Sequence, residues 1–192
     1  VHDLCMFALA ARGAASSLAA ATLDTLHAYL SWVPLAYVFE SDVVSVLLSL
    51  FPAPAHRVAS LRCLTEVAAL TVGAEHDAAF VSLLTVFMAA LAPMLPPNGD
   101  LAAAHAAGSA DDQDFVHALA LFLTTLLRAH APAIEADPAA RPALLAALDV
   151  LVSASFVADD EVRRGEEGGG GRRARVRGDP RLTPFSPPSP FS

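Results

Sequence analysis

"AAFVSLLTVFMAALAPMLPPN", residues 78–98, contains no charged side chain, and its reading decides the fold. Its length approaches that of a membrane span. Its large residues, however, fall on one stripe: Phe80, Leu83, Leu84, Phe87, Leu91 and Leu95. The positions between them are mostly Ala, Ser and Thr, and Pro93, Pro96 and Pro97 interrupt the end. A lipid-facing helix needs large apolar groups all round, whereas a packed helix needs them on one side. The stripe therefore predicts a helix packed against other helices, without membrane insertion; a polytopic membrane protein is the weaker alternative.

Working outward, the same helical period recurs over 3–12, 16–31, 42–50, 55–72, 111–130 and 138–155, with no alternating strand pattern. Gly13 ends the first segment. Ser41 and Asp42 start the third, which is apolar on nearly all sides and is expected to be deeply buried, and Pro52 and Pro54 stop it. The fourth turns Val58, Leu61, Leu64, Val67 and Ala68 inward, with Arg62 and Glu66 one turn apart outside. "DDQD", residues 111–114, places negative charge at one helix start, and Arg128 and His130 place basic groups at its end. Its apolar stripe is Phe115, Leu119, Phe122, Leu123 and Leu126. Asp137 caps the last helix and Pro138 opens it. Residues 96–110 read as a loop.

Alternate helices begin near residues 16, 56, 112 and 159, a spacing of about two helices per 40–56 residues. That is close to the period of HEAT or armadillo repeats. The expected fold is all-α: an α-solenoid of HEAT-type antiparallel helix pairs over residues 1–162, with partial repeats at both ends. Residues 163–192, rich in Gly, Arg and Pro, have little apolar surface to offset the entropy of ordering and are expected to be a disordered tail. A basic localisation arm and GC-rich sequence taken in from a mispredicted exon are both compatible with that composition. The opening "VHDLCMFALA" lacks an initiator methionine or signal peptide and reads as a stretch of something longer. Leu4, Phe7, Leu148 and Leu151, near the two ends, are expected to be exposed.

The net charge of −8 is unevenly spread. Residues 1–162 carry 5 Arg against 17 Asp and Glu, while residues 163–192 carry 7 Arg against 3 acids; lysine is absent. So acidic a body does not suit nucleic acid, whose phosphates require dense basic groups. Cys5 and Cys63 lie on helical patterns without metal-ligand spacing and read as buried thiols. The seven histidines are scattered and read as solvated or half-buried. No nucleophile elbow, P-loop, dinucleotide glycine pattern or CxxC occurs, and "GGGG" at 168–171 follows no strand. The pattern implies neither an enzyme nor a cofactor or metal site.

Residues 21–41, "ATLDTLHAYLSWVPLAYVFES", resemble a segment of the exportin-1 family, nuclear-export-signal receptors of the importin-β superfamily. Trp32, Pro34, Leu35, Tyr37, Phe39 and Glu40 match that family's helix-ending turn. "SLRCLTEVA", residues 60–68, supplies Leu61, Cys63, Leu64 and Glu66. "FVSLLTVFM" and "MLP" follow in order, then "DDQDFVHALALFLTTLLRAH" with Phe115 and Phe122. The resemblance runs colinearly from about residue 18 to 161 and fails after Val162. It implies a ring of HEAT repeats that binds Ran in its GTP state, leucine-rich-signal cargo and nuclear pore proteins, shuttling between nucleus and cytoplasm. The family's cargo groove, with its reactive cysteine, and its acidic loop match nothing in this chain. The signature residues therefore read as structural, and no position is assigned to cargo or Ran. In particular, Trp32, Tyr37 and Phe39 are expected to pack the corner between two helices, which Pro34 creates by stopping the first. A generic HEAT interaction scaffold is the alternative reading.

Overall fold

The computed structural model describes residues 1–10, 16–32, 38, 40–96, 101, 105 and 107–169, with the backbone alone for residues 10, 16 and 157–169. Its helices are α1 (His2–Ala10), α2 (Ser16–Leu30), α3 (Val43–Leu50), α4 (Arg57–Ala68), α5 (Asp77–Leu91), α6 (Ala110–Ala136) and α7 (Arg141–Gly169). Single 3-10 turns lie at Ala74–His76, Ala92–Met94 and Pro138–Ala140. Among the described residues there is no strand.

The helices form two rows. One stacks α2, α4 and α6; the other stacks α1, α3, α5 and α7. Helices within a row run parallel. Leu23 and His27 of α2 meet Cys63 and Glu66 of α4 in that order, and Arg57 and Ala68 of α4 meet Asp112 and His130 of α6. Across the rows the direction reverses: Phe80 meets His130 while Phe87 meets Phe122. This is an α-solenoid, in which each pair buries its apolar face against its neighbours. The consecutive pairs that pack well are α1–α2, α3–α4, α5–α6 and α6–α7. Helix spacing suggests pairing α2 with α3 and α4 with α5, but neither is comparably packed. Recurrent spacing marks a repeat without saying which of two connections is the tight one.

Aromatic rings join the rows. The Phe87 centroid lies 4.9 Å from that of Phe51, just past α3, and 4.5 Å from that of Phe122 on α6. All three are fully buried, each worth roughly 1.5–3 kcal/mol of burial. The α5 stripe is as expected: Phe80, Leu83, Leu84, Phe87 and Leu91 face the core, and Leu95 is half-buried. Among the described residues three segments could cross a membrane by length and composition, Ala74–Met94, Ala110–Ala136 and Pro138–Phe156. Each carries large residues that pack on other helices of the chain, Phe87, Phe122 and Val150 among them, while Val86, Leu121, Leu145, Leu148, Val152 and Phe156 are exposed.

Several elements differ from their sequence reading. In α3 only one side is deeply buried, through Val43 and Leu47; Val44 and Leu48 are half-buried and Ser45 and Ser49 exposed. Asp42 holds its N-cap position without a side-chain cap bond, while Ser41 Oγ accepts from the Val43 amide at 3.4 Å. Helix α6 does not stop at His130 but passes through Pro132 to Ala136. A proline inside a helix costs about 3 kcal/mol, and His130 and Ile134, both buried, hold the surrounding turns in the core. Within the stretch read as a loop, Leu101 and His105 are buried and helical in backbone. Helix α7 reaches Gly169, past the point at which composition places the start of the tail. Residues 170–192, and Gly13, lie outside the described residues.

Candidate functional site

Leu61, Cys63 and Leu64 lie on the face of α4 that is wholly buried. The Cys63 thiol donates to the Leu23 carbonyl at 3.4 Å, fastening α4 to α2. Burial pushes its pKa up to about 12, and the carboxylates of Asp24 and Glu66 and the nearby Cys5 add to the effect. Reactivity requires the thiolate, so Cys63 is a packing group. Cys5 is likewise buried and free. Glu66 is only part-exposed, and its ion pair runs to His27 Nε2 at 3.6 Å rather than to Arg62. Both partners are near 40% exposed, a class of pair worth about 1 kcal/mol or less.

Trp32 corrects the expectation of a packed corner: it is 81% exposed. The Trp32 amide closes a turn on the Tyr29 carbonyl at 2.9 Å. Leu30 is thus the last residue of α2 to reach the core, and the indole leaves the helix pointing outward. Val38, by contrast, is 1% exposed; its small side chain between larger aromatics gave no sequence signal. Glu40 is exposed. Pro34, Leu35, Tyr37 and Phe39 lie outside the described residues.

Phe115 and Phe122 are core residues of α6, and Phe115 lies under the Arg57 guanidinium, 4.6 Å from ring centroid to carbon. Arg57 also bonds Asp112 at 2.5 Å. Asp112 completes a capping box with Ser109: its carboxylate accepts from the Ser109 amide and hydroxyl, and its amide donates to Ser109 Oγ. The Ser109 hydroxyl and then Arg57 hold the Asp112 pKa down to about 2. Negative charge at a helix start was legible in the sequence; its partner Arg57, 55 residues earlier, was not.

His130 is buried, not solvated. Its ring stacks on Phe80 at 3.5 Å, and its Nε2–H donates to the Ala68 carbonyl at 3.1 Å. Burial lowers its pKa. Among the described residues no group of three or more His, Cys, Asp or Glu could hold a metal.

A groove of about 350 Å³ lies between α3 and α5. Val44 and Leu48 form one wall, Phe80, Leu83 and Val86 the other, and Val67 of α4 contributes from the opposite row. The small side chains of Ser45, Ala79 and Ser82 leave the space between the two helices unfilled.

Residues 1–64 match the family described as "Exportin 1-like protein". The chain is 42% identical over 162 residues to Protein EXPORTIN 1A of Arabidopsis thaliana, covering 84% of this chain and 15% of that protein. It is 43% identical over 162 residues to Protein EXPORTIN 1B of the same plant, with the same coverage. Against Exportin-1 of Schizosaccharomyces pombe it is 35% identical over 147 residues, 76% of this chain and 14% of that protein. The chain thus spans about one-seventh of the length of the curated relatives it matches. With a two-row helical solenoid and colinear similarity over most of its length, the chain belongs to the exportin-1 family.

Proposed function

We propose that this chain forms part of the solenoid wall of a nuclear export receptor. In that reading the whole receptor carries proteins bearing leucine-rich export signals out of the nucleus. It does so with Ran in its GTP state and in contact with nuclear pore proteins, shuttling between nucleus and cytoplasm. The observation that carries the reading is the similarity to exportin-1 proteins over 84% of the chain. The chain's own part is binding and support rather than catalysis. Its signature residues Leu61, Cys63, Leu64, Phe115 and Phe122 are buried, which suits a role in shaping the wall. Cargo contact is assigned to none of them.

The direct test is a chimaera in which residues 1–162 replace the colinear segment of Arabidopsis EXPORTIN 1A. It is expected to expel a fluorescent reporter carrying a leucine-rich signal from nuclei. A chimaera that accumulates as a folded protein but leaves the reporter inside would count against the proposal. The 192-residue chain alone is expected to show no Ran-GTP-dependent retention of an export-signal peptide. Cooperative capture by the isolated chain would place the cargo groove here after all.

A further inference from the structure

We infer that the groove between α3 and α5 is a docking site for a short partner segment with apolar side chains and arginine or lysine at one end. The first ground is the groove's chemistry. Its walls are apolar, its polar contributions are serines, and among the described residues no charged one lines it. Val86, 49% exposed, and half-buried Val44 and Leu48 leave apolar surface open along its length.

The second ground is its size. Helix α3 has eight residues, a rise of about 12 Å, so the groove takes about two turns of a partner helix. That is the scale of a linear motif anchored by two or three side chains.

The third ground is charge. α3 and α5 run parallel, like α4 and α6, so their N-termini share one mouth of the groove. Glu40 and Asp42 flank the lining residue Ser41, and Glu75 stands one turn before the lining residue Ala79. All three acids are exposed. His2, bonded through Nε2 to Ser41 Oγ at 3.1 Å, and His76, 3.9 Å from Glu75, stand at the same end. An apolar slot with an acidic mouth selects a segment whose basic end lies over that mouth, and disfavours an acidic one through like-charge repulsion.

The test uses the full chain and a short fluorescein-labelled alanine-based peptide with two arginines followed by leucines at i, i+3 and i+7. Fluorescence anisotropy is expected to show saturable binding. Replacing the arginines by glutamates should weaken it by about tenfold or more. Val86→Arg and Ser82→Arg, both at exposed positions, should each do the same while leaving the melting temperature in place. Glu40→Gln, Asp42→Asn and Glu75→Gln together should weaken binding about three- to tenfold and flatten its dependence on salt. Absence of binding, equal affinity for the glutamate peptide, or indifference to both arginine variants would overturn the proposal. So would binding that arises only after removal of residues 170–192, since that result assigns the groove to the chain's own C-terminal segment.

Discussion

The α4–α6 and α3–α5 contacts each join neighbouring repeats, one in each row, and they are built differently. α4 and α6 are tied at both ends, by Arg57 to Asp112 and by Ala68 to His130, with fully buried leucines between. α3 and α5 meet only lightly, and the small side chains of Ser45, Ala79 and Ser82 leave the space between them unfilled. Stacking in a solenoid therefore does not require two equally sealed rows. One sealed row suffices to fix the geometry, and the other can keep a groove.

The largest expected break in this comparison is Phe122→Ala in the sealed region, at a position with no solvent exposure. Leaving a cavity there should cost about 3–5 kcal/mol, read as a lower urea midpoint. Val86→Ala in the groove should cost far less; equal losses would erase the distinction between the rows.

Arg57→Ala comes next. It removes a charged hydrogen bond and the cover over Phe115, with an expected loss of about 1.5–3 kcal/mol. Asp112 has a folded pKa of about 2, below its unfolded value of 3.8. Its stabilising effect is thus present above pH 3.8 and lost as pH falls towards 2. Asp112→Asn should flatten the stability profile in that acid window, and an unchanged profile would show the Arg57 bond to be idle.

His130 acts in a higher window. Its folded pKa lies below the ordinary 6.5, so the folded protein favours the neutral ring. Stability should be full above pH 6.5 and decline as pH falls below it, because the unfolded chain then gains protons more readily. His130→Phe should remove this slope in thermal melts between pH 7.5 and 5.5. A slope that survives would move its origin to another group.

The smallest effect belongs to Trp32→Ala, expected within about 0.5 kcal/mol. The single tryptophan should emit as a water-exposed indole and be quenched readily by acrylamide. Shielded emission would restore the packed corner and narrow the difference between this edge and the core.

Much of this was legible in the sequence. The α5 stripe, the inward face of α4 and the Asp137 cap at 138–140 follow from residues within one or two turns of each other. Leu61 and Leu64 on α4 and Phe115 and Phe122 on α6 lie buried on the faces that their helical period marks. Trp32 was misplaced because hydrophobicity gives a residue's preference but not the direction in which a chain leaves a helix. The helix read as ending at His130 runs on through Pro132 to Ala136, because the packing of His130 and Ile134 leaves no local pattern.

By itself the sequence determined that the chain is helical, where most helices start, which face of α4, α5 and α6 is buried and which family it belongs to. Those properties rest on periodicity, caps and colinear identities, all local along the chain. The tertiary structure alone decided which helices pair tightly, that Arg57 holds Asp112 and that His130 stacks on Phe80. It also decided that small residues on α3 and α5 open a groove. Each of these depends on groups far apart in sequence meeting at a fixed distance, and no local pattern encodes that distance.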